Sequence, residues 1–229
     1  MALSQTRRWH EYPEPELLYS CVVEAIERMA AEAISKTGKF SIVLAGGSTP
    51  RAIYQRFRLI HTDWSAWHVY FGDERCLPLG HAERNSVMAD QVWLEHVAIP
   101  SAQIHRIPAQ LGAEAAASQY STELEGVEDF DLVLLGLGQD GHTASLFPGK
   151  EWGRDYTQPA VLAVHGAPKP PHDRVSLSAW RLSRAGRVWF LVTGQDKGGA
   201  VQSWRRGGNI PAASILPLNG VDIWLAGVR

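Results

Sequence analysis

Apolar residues recur at helical spacing near the start of the chain: Leu17, Leu18, Cys21, Val22, Ala25, Ile26, Met29, Ala30, Ala33 and Ile34. The spacing predicts a helix over 16–36, stopped by Gly38, with Cys21 as a small buried hydrophobe on its apolar stripe. The unbroken run Phe40-Ser41-Ile42-Val43-Leu44-Ala45 follows and suits a strand buried on both faces. The alternation then repeats. Segments 68–71, 131–135, 161–164, 187–193 and 222–226 read as strands. Segments 51–58, 85–97 (with Asn85 as a cap), 113–125 and a stretch running to Arg205 read as helices. Strands alternating with helices predict an α/β fold: a doubly wound, mostly parallel, Rossmann-like sheet with helices on both faces. No linker, repeat or low-complexity segment interrupts the pattern, so 1–229 reads as one domain, with the Pro-rich stretch 167–172 as a loop.

Composition narrows the partners. The chain has 229 residues, 45% hydrophobic and 20% charged, with net charge −2. That balance argues against nucleic acid, whose affinity comes from many cations neutralising phosphates. Two cysteines, Cys21 and Cys76, build neither a disulfide framework nor a four-thiolate metal site. The longest apolar runs fall far short of the roughly 18 residues that span a bilayer. Arg7-Arg8 is followed by Trp9-His10-Glu11-Tyr12-Pro13 rather than by an apolar stretch, so a cytoplasmic protein without a membrane partner is expected. Nine tryptophans are present. Trp93, Trp189 and Trp224 read as core, and Trp152 is the one expected near a ligand.

In sheets of this kind ligands bind beyond the carboxyl ends of the strands, and four predicted strand ends carry glycine with charged or hydroxyl residues. Gly46-Gly47-Ser48-Thr49-Pro50 joins a strand to a helix. Its glycines allow close approach, Ser48 or Thr49 can cap the helix, and a bare helix N-terminus cradles phosphate. An ordinary capped turn has the same five residues. Gly72-Asp73-Glu74-Arg75 offers Asp73 for substrate binding and Arg75 to orient a carbonyl or stabilise negative charge. A solvated charged turn is the alternative. Gly136-Leu137-Gly138-Gln139-Asp140-Gly141 matches a dinucleotide fingerprint, but Pro148-Gly149 arrives too early for the required helix and no acid follows the next strand. No nicotinamide or flavin cofactor is expected. Asp140 precedes His142 by two residues, a spacing that lets a carboxylate orient a general base. Lys197 follows another strand end, and Arg174 lies in Arg174-Val175-Ser176-Leu177; both are candidates for a terminal phosphate. Neither His-rich nor C-x-x-C spacing points to a metal.

Taken together, AGGSTPRAIYQ, VYFGDERCLP with Asn85-Ser86 after it, DLVLLGLGQDGHTASLFPG, RVSLS, LVTGQDK and the late PAASIL resemble the 6-phosphogluconolactonase family. The resemblance runs in order from Phe40 to near the C-terminus. It implies hydrolysis of 6-phospho-D-glucono-1,5-lactone to 6-phosphogluconate, in the oxidative pentose phosphate pathway, without metal or cofactor. The implied partner is a small sugar-phosphate lactone. On that reading His142, oriented by Asp140, activates water; Arg75 stabilises the oxyanion; and Gly46, Gly47, Ser48 and Thr49 with Lys197 and Arg174 hold the phosphate. The sibling glucosamine-6-phosphate deaminase/isomerase family carries a glutamate five residues after the histidine, where this chain has Phe147, and Asp-Glu-Tyr where it has Asp73-Glu74-Arg75. That enzyme type and a non-catalytic sugar-phosphate sensor are the alternatives. Monomer and small homo-oligomer are both open.

Overall fold

All five residues of the apolar run Phe40–Leu44 are buried and form a strand, which sets the centre of the sheet. The computed structural model describes residues 5–228. Along the chain come β1 (Arg7–Tyr12), α1 (Pro15–Thr37), β2 (Phe40–Leu44), α2 (Ser48–Phe57), β3 (Trp67–Phe71), β4 (Asp73–Arg75), α3 (Asn85–Val92) and β5 (Ile104–His105). There follow α4 (Ala113–Glu123), β6 (Phe130–Leu135), β7 (Val161–Val164), β8 (Arg174–Leu177), α5 (Ala179–Ser183), β9 (Ala185–Thr193), α6 (Gly198–Arg205) and β10 (Val221–Ala226). Helix α1 stops where expected: Gly38 takes φ 80° and donates its N–H to Ile34 O at 2.9 Å.

Seven strands form a parallel sheet in the order β1-β10-β9-β6-β2-β3-β5. From β2 the chain steps outward through β3 and β5; from β6 it steps the other way through β9 and β10. The order therefore reverses between β2 and β6, which pair directly through Ile42 with Leu132 and Val43 with Val133. A crevice opens beyond the carboxyl ends at such a reversal. The tryptophans mostly fill the core. Trp67 and Trp93 are fully buried and pack edge-on with Phe40 and Phe57, while Trp189 and Trp224 lie 5.0 Å apart, both buried.

The α/β class with a mostly parallel sheet is as expected, and several boundaries differ. Strand β1 is too charged and too short of apolar residues to announce itself, yet it pairs with β10 from Arg7–Val221 to Tyr12–Ala226. A second, antiparallel sheet, β4-β8-β7, takes in Asp73–Arg75, expected as a turn, and Arg174–Leu177, whose leading arginine masks a strand pattern. Segment 161–164 is a strand in this small sheet, not the large one. Helix α2 begins at Ser48 with Gly47 as its N-cap and no side-chain cap, so neither Ser48 nor Thr49 caps it. Helix α3 takes Arg84 as N-cap, with Asn85 inside the helix, and ends at Val92 before a separate 3-10 turn over Leu94–His96. Cys21 is half-buried against the core rather than within it.

Candidate active site

Two glycine loops meet at the reversal point. After β2, Gly46 lies so close to Asn85 that a β-carbon there would sit 2.0 Å from Asn85 Oδ1. Gly47 adopts φ 109°, a left-handed value that favours glycine, and turns the chain into α2 with its first N–H groups uncapped. Asn85 Nδ2 donates to Asp73 O at 3.0 Å and to Asp73 Oδ1 at 3.1 Å. Ser145 Oγ donates to Asp73 Oδ2 at 2.6 Å. The Asp73 carboxylate is thus buried and oriented from both sides.

Its neighbour Glu74 is fully buried and has a different task. Its Oε1 accepts the backbone N–H groups of Arg75 (2.9 Å) and Asn85 (2.7 Å), and its Oε2 accepts that of Ser86 (2.9 Å). A carboxylate on the first N–H groups of α3 satisfies them and complements the helix dipole. Arg84 Nε lies 3.5 Å from the same carboxylate. Glu74 therefore fixes Asn85 and Arg75 relative to one another.

The loop after β6 carries the histidine. Gly138 N–H donates to His142 O at 2.8 Å and Gly141 N–H to Gly138 O at 3.0 Å, so the loop folds back over itself. Asp140 Oδ1 accepts the His142 backbone N–H at 3.1 Å and lies 2.5 Å from ring Nδ1. Burial pushes the Asp140 carboxyl up, but the ring and backbone hydrogen bonds from His142 outweigh it and leave the carboxyl below its usual value. An ionised Asp140 assigns the proton to Nδ1 and leaves Nε2 as the acceptor.

Four cations border the cavity. Arg75 Nη1 donates to Glu83 O at 2.7 Å, and its Nε is buried with no hydrogen-bond partner among the described residues. Lys197 Nζ lies 3.0 Å from Asp196 Oδ2; hydrogen bonds from Gln139 and Lys197 hold that carboxyl below its usual value. The Arg174 guanidinium donates to three carbonyls of 169–171, and burial lowers its pKa. The fourth is Lys169.

The cavity measures about 260 Å³ and brings together Gly46, Gly47, Asp73, Arg75, His142, Arg174 and Lys197 from the expected set. Asp140 stands behind His142 rather than on the wall. Ser48 and Thr49 do not line it either: Ser48 is exposed, and the Thr49 hydroxyl pairs with that of Thr193 at 2.6 Å. Of the turn into α2, Gly46 and the N-cap Gly47 line it. Asn85 and Lys169 also line the cavity. Asn85 followed the Gly72-Asp73-Glu74-Arg75 segment in the sequence, but its hydrogen bonds to Asp73 and Glu74 and its approach to Gly46 are what bring it here; Lys169 carried no signal within a Pro-rich loop. Trp152, expected near the ligand, is buried with its Nε1 on Phe147 O at 2.7 Å and does not border the cavity. The Cys76 thiol, half-buried, is pushed up to about 11, chiefly by burial and by nearby Asp173.

This geometry has relatives. Residues 13–224 match the family of glucosamine-6-phosphate isomerases/6-phosphogluconolactonase. The chain belongs to that family. It is 37% identical over 226 residues to the GDH/6PGL endoplasmic bifunctional protein of Oryctolagus cuniculus, covering 92% of this chain and 28% of that protein. The chain thus spans little more than a quarter of that relative's length. It is 34% identical to the 6-phosphogluconolactonase of Streptomyces coelicolor, covering 87% of this chain and 83% of that one. Its fold is similar to that of the 6-phosphogluconolactonase of Thermotoga maritima, with TM-score 0.88 at 26% identity, covering 97% of this chain and 100% of that one. The Trypanosoma brucei 6-phosphogluconolactonase gives TM-score 0.83 at 27% identity, covering 97% of each chain.

Proposed function

We propose that this chain hydrolyses 6-phospho-D-glucono-1,5-lactone to 6-phospho-D-gluconate, the second step of the oxidative pentose phosphate pathway. The observation that carries the reading is the His142 ring, held through Nδ1 by Asp140, on the wall of a cavity that also bears Gly46, the α2 N-cap Gly47, Arg75 and Lys197. The relatives' names agree with it.

In this mechanism Nε2 of His142 takes a proton from water as the water oxygen attacks the lactone carbonyl carbon. Asp140 stabilises the imidazolium that forms. Arg75, with Nη1 anchored on Glu83 O, directs Nη2 at the carbonyl oxygen, an interaction typically worth about 3–4 kcal/mol in the transition state. The tetrahedral intermediate collapses, the bond from carbon to ring oxygen breaks, and His142 returns its proton to that oxygen. The Gly46-Gly47 loop, the first N–H groups of α2 and Lys197 hold the phosphate. Chemistry of this kind uses no metal or cofactor.

Phe147 favours the lactonase over the isomerase, since it stands where the deaminase/isomerase relatives carry a ring-opening glutamate and packs 4.8 Å from the His142 ring. The test is to follow acid release from freshly generated 6-phosphogluconolactone against the spontaneous rate. Ammonia release from glucosamine 6-phosphate, without lactone hydrolysis, would reject the proposal. A cytoplasmic setting is part of the same reading, which cell fractionation tests.

A further inference from the structure

Among the cavity cations, Arg174 is the one most committed to its own protein. Its Nε donates to Pro171 O at 3.1 Å, and its Nη2 donates to Lys169 O at 3.0 Å and Pro170 O at 3.3 Å. Its guanidinium carbon sits 5.6 Å from the Phe147 ring centroid, and β8 holds its backbone opposite Arg75 of β4. Both bidentate edges of a guanidinium use Nη2, which here already serves two carbonyls, so only the Nη1 donors remain and the fork is not open to a phosphate as a pair. It does fix the backbone of 169–171. The loop is closed at its base too: Ala167 N–H donates to His172 O at 2.9 Å, and His172 Nδ1 donates to Ala167 O at 2.7 Å.

At the free end of this braced loop stands Lys169. Its side chain borders the cavity, and among the described residues its ammonium has neither a hydrogen-bond nor an ion-pair partner. Lys197, by contrast, is paired with Asp196. An ammonium on a long stem is a compact charge suited to a terminal phosphate, and a stem rooted in an anchored backbone loses less freedom on binding.

We propose that Lys169 is a substrate-phosphate ligand, and that Arg174 is the positioning residue that presents it rather than a phosphate ligand itself. The inference rests on the lactonase reading of this site. It assigns the preference for a phosphorylated over an unphosphorylated lactone in part to a loop outside the glycine-rich turn.

The experiment compares the full chain with K169M, R174K and the double variant. The readouts are kcat and KM on 6-phosphogluconolactone, the same on glucono-1,5-lactone, and inhibition by inorganic phosphate. K169M should raise KM for the phosphorylated lactone about tenfold while changing kcat little, the pattern of lost uniform binding. The ratio of kcat/KM between the two lactones should fall by the same factor, and phosphate should inhibit correspondingly less. R174K keeps the charge but loses the fork. It should reproduce the shift, and the double variant should add little to either.

Unchanged KM and unchanged phosphate inhibition in K169M overturn the proposal, as does equal loss on both lactones. Fully additive effects would return Arg174 to the phosphate itself. If R174K folds poorly, K169M alone decides the phosphate contact, and R174A with added guanidinium tests the brace by rescue of the lactone ratio. Wild-type protein without lactonase activity would sink the functional reading instead, and calorimetry of phosphate binding to wild type and K169M would still decide Lys169.

Discussion

The imidazole of His142 lies over the α-carbon of Gly138: a β-carbon on Gly138 would fall 2.0 Å from His142 Nδ1 and 2.1 Å from its Cε1. The glycine is needed for the ring it accommodates. Gly138 is not among the residues with positive φ, so alanine suits the backbone and acts only by displacing the ring from Asp140. Gly138→Ala should lower kcat by about tenfold to a hundredfold, as small misplacements of a catalytic group do, with circular dichroism unchanged. Wild-type kcat in that variant would show that the ring has another resting place.

Removal of the ring itself should cost more. His142→Ala is expected to lower kcat by at least about a hundredfold, the lower end for general acid–base catalysis. Asp140→Asn keeps an acceptor for Nδ1 but not the charge that stabilises the imidazolium, so kcat should fall at least about tenfold. Steady-state kinetics with KM near wild type in both variants checks the assignment. Near-wild-type turnover of His142→Ala would end it.

Lys197 stands at the phosphate end in the proposed mechanism. Lys197→Ala should raise KM and leave kcat within about threefold, because a contact made equally in ground and transition states is lost. A KM that does not move removes Lys197 from the phosphate site.

Glu74 should matter for stability before chemistry. Glu74→Ala leaves Arg84, buried to 2% exposure, without its carboxylate and strips the acceptor from three backbone N–H groups. Breaking a buried pair in this way costs about 3–5 kcal/mol, measurable by urea unfolding. A loss under about 1 kcal/mol, the range of exposed pairs, would show that water takes the place of the carboxylate.

At the far edge, Asp222 ties β1 to β10. It accepts from Arg8 Nε (2.7 Å) and Nη2 (2.8 Å) and lies 2.9 Å from His10 Nε2. Burial pushes its carboxyl up, and the Arg8 and His10 contacts pull it further down, to a value below the usual one. A folded pKa below the unfolded one stabilises the protein above about pH 4, the unfolded value, and that contribution disappears as pH falls through the folded value. The stability gap between wild type and Asp222→Asn should therefore be widest at neutral pH and narrow as the pH falls below about 4 and through the lowered folded value. A gap independent of pH would mean that the charge of Asp222 contributes nothing.

Cysteine chemistry is not expected to intrude on this site. With its thiol pushed up to about 11, Cys76 stays protonated near neutral pH and lacks the nucleophilic thiolate.

Local pattern alone determined the alternation of α1, β2, α2, β3, α4, β6, β9 and β10, because a fully buried parallel strand and an amphipathic helix each leave a periodic trace. It also determined the glycines and charged residues at strand ends, and hence the candidates His142, Asp140, Arg75 and Lys197. Short, charged strands leave no such trace. Arg7–Tyr12, Asp73–Arg75 and Arg174–Leu177 became strands only because a partner strand supplied the hydrogen bonds. The division of labour within the site was likewise a tertiary outcome. Only packing placed Asn85 against Gly46 and Glu74 on the start of α3. It turned the Thr49 hydroxyl toward Thr193, buried Trp152 away from the cavity and closed Arg174 on the carbonyls beneath Lys169. The longest of those relations, Gly46 with Asn85 and Thr49 with Thr193, join residues far apart in the chain and exist only once the sheet has brought the strand ends to one edge.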